Sequence, residues 1–135
     1  MKSRMNPILC VGIALVAAVA AHAQTATANV PFSYHMGNRL LPAGTYHISD
    51  SNNGRIAWFR GKGIVQTAST IDVAGSRFNE PARLIFHKYG GEYFLSEIWA
   101  GGGDGHKLVT SEREKEISRG GALPKLAVVR LAMHN

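Results

Sequence analysis

The stretch Leu84 to Trp99, L-I-F-H-K-Y-G-G-E-Y-F-L-S-E-I-W, limits what this chain can fold into more than any other. Two runs rich in aromatic and β-branched residues flank Gly90-Gly91, and adjacent glycines accept the positive φ angles of a type I′ turn without a Cβ clash. The stretch therefore predicts a β-hairpin in which Tyr89 faces Glu92, His87 faces Phe94 and Phe86 faces Leu95. Regular alternation puts Leu84, Phe86, Tyr93, Leu95 and Trp99 on one face, and Ile85, His87, Tyr89, Phe94 and Ile98 on the other. Both faces are largely apolar, so the hairpin belongs inside a sandwich or barrel rather than at an edge.

The rest of the chain supplies strands for that hairpin to join. Val30, Phe32, Tyr34 and Met36 alternate with Pro31, Ser33 and His35, the period of a half-buried strand. Leu40-Leu41 leads into a Pro42-Ala43-Gly44 turn, and Thr45–Ser49 follows as a strand with Tyr46 and Ile48 inward. Residues 56–60 and 64–70 read as two more, and 72–81 as a connection. Beyond Trp99, Gly101–Gly105 reads as a mobile hairpin loop before a short strand at 107–109. Ser111 and Glu114 match a capping box, with Gly120-Gly121 as the stop, which predicts a two-turn surface helix. Leu126–Met133 reads as a last strand. The expected fold is all-β, a small antiparallel sandwich or partly closed barrel of about seven to eight strands with one short surface helix. It forms one domain over residues 30–135, preceded by a flexible lead-in at 24–29.

The first residues read as an address. Lys2 and Arg4 are followed by an unbroken apolar run from Ile8 to Ala20, and Ala21-His22-Ala23 has the small-x-small form of a signal-peptidase site. A signal peptide at 1–23 is predicted, with export to the periplasm or the medium. The apolar run is shorter than the ~20 residues of a permanent span, so no stable membrane span is expected after cleavage. Cleavage also removes Cys10, the single cysteine, which leaves an exported domain without disulfides. Losing Lys2 and Arg4 from the 15 Lys and Arg leaves 13 against 9 Asp and Glu, a net charge of +4. These basic residues are scattered rather than clustered, which argues against nucleic acid as a partner.

Four pieces carry a resemblance: V-P-F-S-Y-H-M-G-N at 30–38, L-P-A-G-T-Y at 41–46, L-I-F-H-K-Y-G at 84–90 and Y-F-L-S-E-I-W at 93–99. Together they resemble a group of small exported bacterial proteins of unknown function. The resemblance implies export and a compact β domain, and it transfers no catalytic residue.

Residues able to carry chemistry are few. The sequence has no G-x-S-x-G elbow, no H-E-x-x-H and no G-x-x-x-x-G-K-[ST] phosphate loop. Asp50-Ser51-Asn52-Asn53-Gly54 resembles the start of a calcium loop, but Gly61 stands where the bidentate Glu belongs, so a turn is the better reading. His35, His47 and His87 all fall on predicted strands, and three converging imidazoles could hold Zn or Cu with an open position for water. Trp58 adjoins Phe59, so one of them must face outward; Trp58, Trp99 and Tyr89 are candidate aromatic platform residues for a glycan or a partner protein. The function expected is that of an exported, non-enzymatic binding or structural domain of the cell envelope, with no cofactor and an unknown protein or glycan partner. The alternative is a small metal-dependent or carboxylate-based hydrolase using the strand histidines, which requires that the three histidines meet on one wall.

Overall fold

The computed structural model describes residues 25–51, 54–74, 80–100 and 104–134. The predicted signal peptide, the centre of the Asp50–Gly54 loop and the start of the glycine-rich loop at 101–105 lie outside the described residues. The strands are β1 (Thr25–Val30), β2 (Tyr34–Met36), β3 (Arg39–Leu41), β4 (Gly44–Ser51), β5 (Ile56–Gly61), β6 (Ile64–Ala74), β7 (Arg83–Tyr89), β8 (Glu92–Trp99), β9 (Asp104–Leu108) and β10 (Lys125–His134). Among the described residues one helix, α1 (Glu112–Arg119), lies between β9 and β10.

Eight of these strands close into an antiparallel barrel in the order β8-β7-β10-β1-β4-β5-β6-β9, and pairing of β9 with β8 completes the ring. The small hairpin β2–β3 extends the wall where β9 stops short, with β2 parallel to β8 through His35 and Phe94. Arg39 of β3 bridges to β6 by donating to the Val65 carbonyl at 3.0 Å. The all-β expectation holds, as does the interior place of the β7–β8 hairpin, and its predicted pairings Tyr89–Glu92, His87–Phe94 and Phe86–Leu95 are all present.

Ten strands form rather than seven to eight, with β6 running into the expected connection as far as Ala74, and further features differ from the sequence reading. Residues 25–29, expected as a flexible lead-in, form most of β1, a central strand between β10 and β4. Ala26, Ala28 and Val30 alternate inward there, and small apolar residues suffice because larger side chains on the neighbouring strands supply the bulk. The hairpin also loses its regular alternation. Its register shifts between Ile85 and Phe86 because β8 carries one extra residue, Ser96, a β-bulge that turns the rest of the strand over. Ile98 therefore joins Leu84 on the inside, and Trp99, expected there, pairs with Arg83 on the outside.

The helix forms as its sequence dictates. Ser111 caps it, its hydroxyl accepting from the Glu114 N–H at 3.2 Å, and Gly121 leaves it at a φ of +89°. It is more than a surface connector, however. Glu114 is buried against the outer wall of the barrel, and that carboxylate is what docks the helix.

Candidate functional site

Strand register fixes which side chains enter the barrel at each level. Near the end formed by Val30, Gly61 and the β7–β8 turn, aromatic rings fill the lumen. Phe32 stacks on Tyr93 with ring centres 3.7 Å apart and meets Phe86 edge-on, while Tyr34 makes edge contacts with Tyr46 and Phe86. Chain 31–33, running from β1 to β2, carries Phe32 into this plug. Gly61 belongs to it too, because an added Cβ would lie 2.8 Å from the Tyr46 ring.

At the opposite end alanines and aliphatics take the place of the rings. Ala26 sits between Ile48 and Met133, Asp50 pairs with Ala57, and Ile98 pairs with His106. These side chains, together with Leu131, Ala100 and Gly54, line a cavity of about 420 Å³ at the mouth of the barrel. That volume falls at the small end of the ligand-pocket range of roughly 300–1,000 Å³. Gly54, at the turn with Arg55, lines the mouth. Thr70 holds this turn by donating its hydroxyl to the Gly54 carbonyl at 2.6 Å and its N–H to the Arg55 carbonyl at 2.8 Å. Gly54 is required there: its φ is +82°, and a Cβ would fall 2.5 Å from the His106 ring. His106 Nδ1 lies 3.1 Å from the Asp72 carboxylate, but off the direction of a hydrogen bond, so the nitrogen stays buried without an aligned partner among the described residues.

A second polar cluster lies on the outer wall beneath α1. Glu114 Oε2 accepts from His87 Nδ1 at 2.6 Å and from the Tyr89 hydroxyl at 2.9 Å. Burial, together with this bond and the Glu114 charge beside it, pushes the Tyr89 hydroxyl up to about 12. Arg113 makes a two-pronged pair with Glu92 at 2.7 and 3.2 Å and holds that carboxyl below the usual carboxylate range. His35 lies flat on Phe94 at 4.4 Å between ring centres, with Nε2 3.4 Å from Glu92. A carboxylate that fixes an imidazole can serve catalysis. Here the same oxygen also takes Tyr89, and the cluster fastens the helix to the hairpin.

The predicted site residues are dispersed over the outer surface. His35 and His87 both reach the helix cluster, but His47 stands on β4, separated from β7 by β1 and β10. It faces Thr27, whose hydroxyl is 3.4 Å from His47 Nδ1 and 3.0 Å from His134 Nε2. His35 and His87 thus share one wall, on either side of Phe94, while His47 stands on another, so the three do not converge. Among the described residues, no group of three His, Cys, Asp or Glu could hold a metal ion.

Trp58 does face outward while Phe59 is fully buried. Its indole N–H donates to Ser51 at 2.9 Å, and Arg60 covers the ring at 5.0 Å from its centre. Trp99 is held in a comparable way. It donates to Glu97 at 2.8 Å, lies 5.1 Å from the Arg83 guanidinium, and rests on Gly105, where a Cβ would come within 2.6 Å of the ring. β6 and β9 separate Trp58 from β8, and Tyr89 and Trp99 occupy opposite ends of one hairpin, about 20 Å apart at strand spacing. The three aromatics do not form one platform.

The mouth cavity was not legible in the sequence. Its walls are alanines and scattered aliphatics that carry no chemical signature, and only the pairing of Ala26 and Ala57 with their neighbours brings them together. Comparison of the chain with protein-family models, with curated proteins and with solved structures finds no match. The class the structure defines is a small closed antiparallel β-barrel, plugged at one end and open at the other. Among the described residues no helix is long and apolar enough to cross a membrane.

Proposed function

We propose that this protein is an exported, non-enzymatic binding domain of the cell envelope that takes a small, largely apolar molecule into the open mouth of its barrel. The observation that carries this reading is the cavity of about 420 Å³ between Ala26, Ile48, Ala57, Ile98 and Met133, at one end of a barrel packed solid at the other. A concave apolar site with a few polar groups at its rim is the usual form of a small-molecule site, and barrel mouths are a common place for one. The leader-like residues 1–23 support export, and mass spectrometry of the secreted protein is expected to find Gln24 at its N-terminus. The hydrolase alternative has less support, since His47 stands apart and the Glu114–His87 pair is engaged in holding α1.

The test is displacement of an environment-sensitive apolar dye from the purified protein by medium-chain alcohols, with thermal unfolding in parallel. A ligand at a hundred times its dissociation constant adds about 2.7 kcal/mol, which raises the midpoint by several degrees. Ala57→Leu, which intrudes on the cavity, is expected to weaken dye binding while Trp58→Ala on the outer wall leaves it intact. Equal binding by parent and Ala57→Leu protein contradicts the proposal.

A further inference from the structure

The thioether sulfurs of this chain are unequally protected. Its four methionines are Met1, Met5, Met36 and Met133. Of the two among the described residues, Met36 is fully buried in the core, whereas Met133 is 41% exposed and lines the mouth. Strand register explains the difference. Met133 stands opposite Ala26 on β1, on the inward face of β10 that Leu131 shares, so its side chain enters the cavity. The ladder between β7 and β10 ends at Arg83 and Arg130, so among the described residues Met133 has a strand neighbour on the β1 side alone. The single cysteine, Cys10, lies in the leader-like segment. Met133 is therefore the one accessible sulfur among the described residues.

Resting on the reading of the cavity as a ligand site, we propose that Met133 is an oxidative modification site, at which peroxides turn this wall of the mouth from apolar to polar and so release its ligand. The reaction is a two-electron oxygen transfer. A lone pair on Met133 Sδ attacks one peroxide oxygen and the O–O bond breaks. The proton on the transferred oxygen passes to the departing hydroxide, and water leaves; the sulfur is oxidised to the sulfoxide and the peroxide is reduced. A thioether packs as a flexible apolar group and accepts hydrogen bonds only weakly, whereas its sulfoxide is polar and chiral. The new oxygen is solvated while the mouth is empty and loses that solvation when an alkyl chain fills the space between Ala26, Ile48, Ala57 and Ile98. Ala26 and Ile48, the nearest residues across the ladder, offer no side-chain donor to replace the water, so binding is penalised. Met36 carries the same chemistry without the access, which makes it an internal control.

The experiment treats the full-length protein with hydrogen peroxide, maps the oxidised residues by peptide mass spectrometry, and measures octanol binding by competition with the apolar dye before and after. One added oxygen is expected at Met133 with Met36 unmodified, and octanol is expected to bind about tenfold more weakly afterwards. A mixture of the two methionine sulfoxide reductases, one for each epimer, is expected to restore the affinity. Met133→Leu is compared with itself: whatever its starting affinity, that affinity is expected to be the same with and without peroxide. Oxidation of Met36 as readily as Met133, an unchanged affinity once Met133 is oxidised, or an equal fall in Met133→Leu overturns this inference and leaves the cavity reading standing. Failure of the untreated protein to bind octanol overturns both.

Discussion

The plugged and open ends of the barrel are made from the same strands and differ in the side chains those strands turn inward. β1 contributes Val30 at one end and Ala26 at the other, β5 contributes Phe59 and then Ala57, and β4 contributes Tyr46 and then Ile48 and Asp50. The plugged end is also braced from outside, where α1 is fastened over the β7–β8 turn through Glu114, His87 and Tyr89. Interior rings excluded from water give that end its stability. At the open end small residues give up some of that burial and leave room for a ligand. The difference teaches that a barrel this small can divide its length between holding itself together and binding.

The largest effect that would test this division comes from the plug. Phe86→Ala removes a fully buried ring in contact with Phe32 and Tyr34, and should cost about 3–5 kcal/mol in chemical denaturation. A loss below about 1 kcal/mol would show that the ring plug is not the stabilising half.

Next comes the helix brace. Glu114→Ala strands the His87 N–H and the Tyr89 hydroxyl and should cost roughly 1–3 kcal/mol, with loss of the helical signal in circular dichroism before the barrel melts. The pH dependence has a fixed sign. Tyr89 titrates higher in the folded protein than in the unfolded chain, so its contribution is complete below about pH 10 and is lost as pH rises toward 12. Glu92 is shifted the other way by Arg113, so its contribution is present above the ordinary carboxylate range and disappears as pH falls through its lowered value. Denaturation at a series of pH values, read by the helix signal, checks both limbs.

A matched pair of enlargements compares the two ends directly. Ala28 lies on β1 at the packed level and Ala57 at the mouth, and both are buried. Ala28→Leu should destabilise by about 1–3 kcal/mol through overpacking, whereas Ala57→Leu should stay within about 1 kcal/mol of the parent because it grows into empty space. Equal costs would mean that the mouth is as tightly packed as the plug. The smallest expected effect is Tyr34→Phe. The Tyr34 hydroxyl is buried without an aligned hydrogen-bond partner among the described residues, and burial, together with the neighbouring Tyr46 hydroxyl, raises its pKa. Its removal should leave stability unchanged or raise it by up to about 1 kcal/mol.

These contrasts also mark where the sequence could and could not be read. The β7–β8 hairpin was legible because Gly90-Gly91 between two aromatic runs marks a two-residue turn, although only Gly90 takes a positive φ (+60°) and the expected type I′ geometry, which needs both, does not form; the helix was legible because Ser111 and Glu114 sit at capping distance. The capping pattern named Glu114 for the wrong task, since its position three residues after Ser111 says nothing of the wall behind it. Trp99 was placed on the wrong face because a single unpaired residue, Ser96, reverses alternation without any glycine or proline to announce it. β1 was missed because T-A-T-A-N offers only alanine on its inward face, too little bulk to read as a buried strand despite the β-branched Thr25 and Thr27, and it gains its place from β4 and β10 on either side. The cavity follows from those same small residues, so its visibility required the register.

The most direct test of the central claim is methyl nuclear magnetic resonance of the protein titrated with octanol. The division of the barrel predicts saturable shifts at the methyls of Ala26, Ile48, Ala57, Ile98 and Met133, with Ala28 and Ala127 unmoved. Shifts confined to Leu126 and Val128 on the exposed face of β10, with the mouth methyls silent, would contradict it.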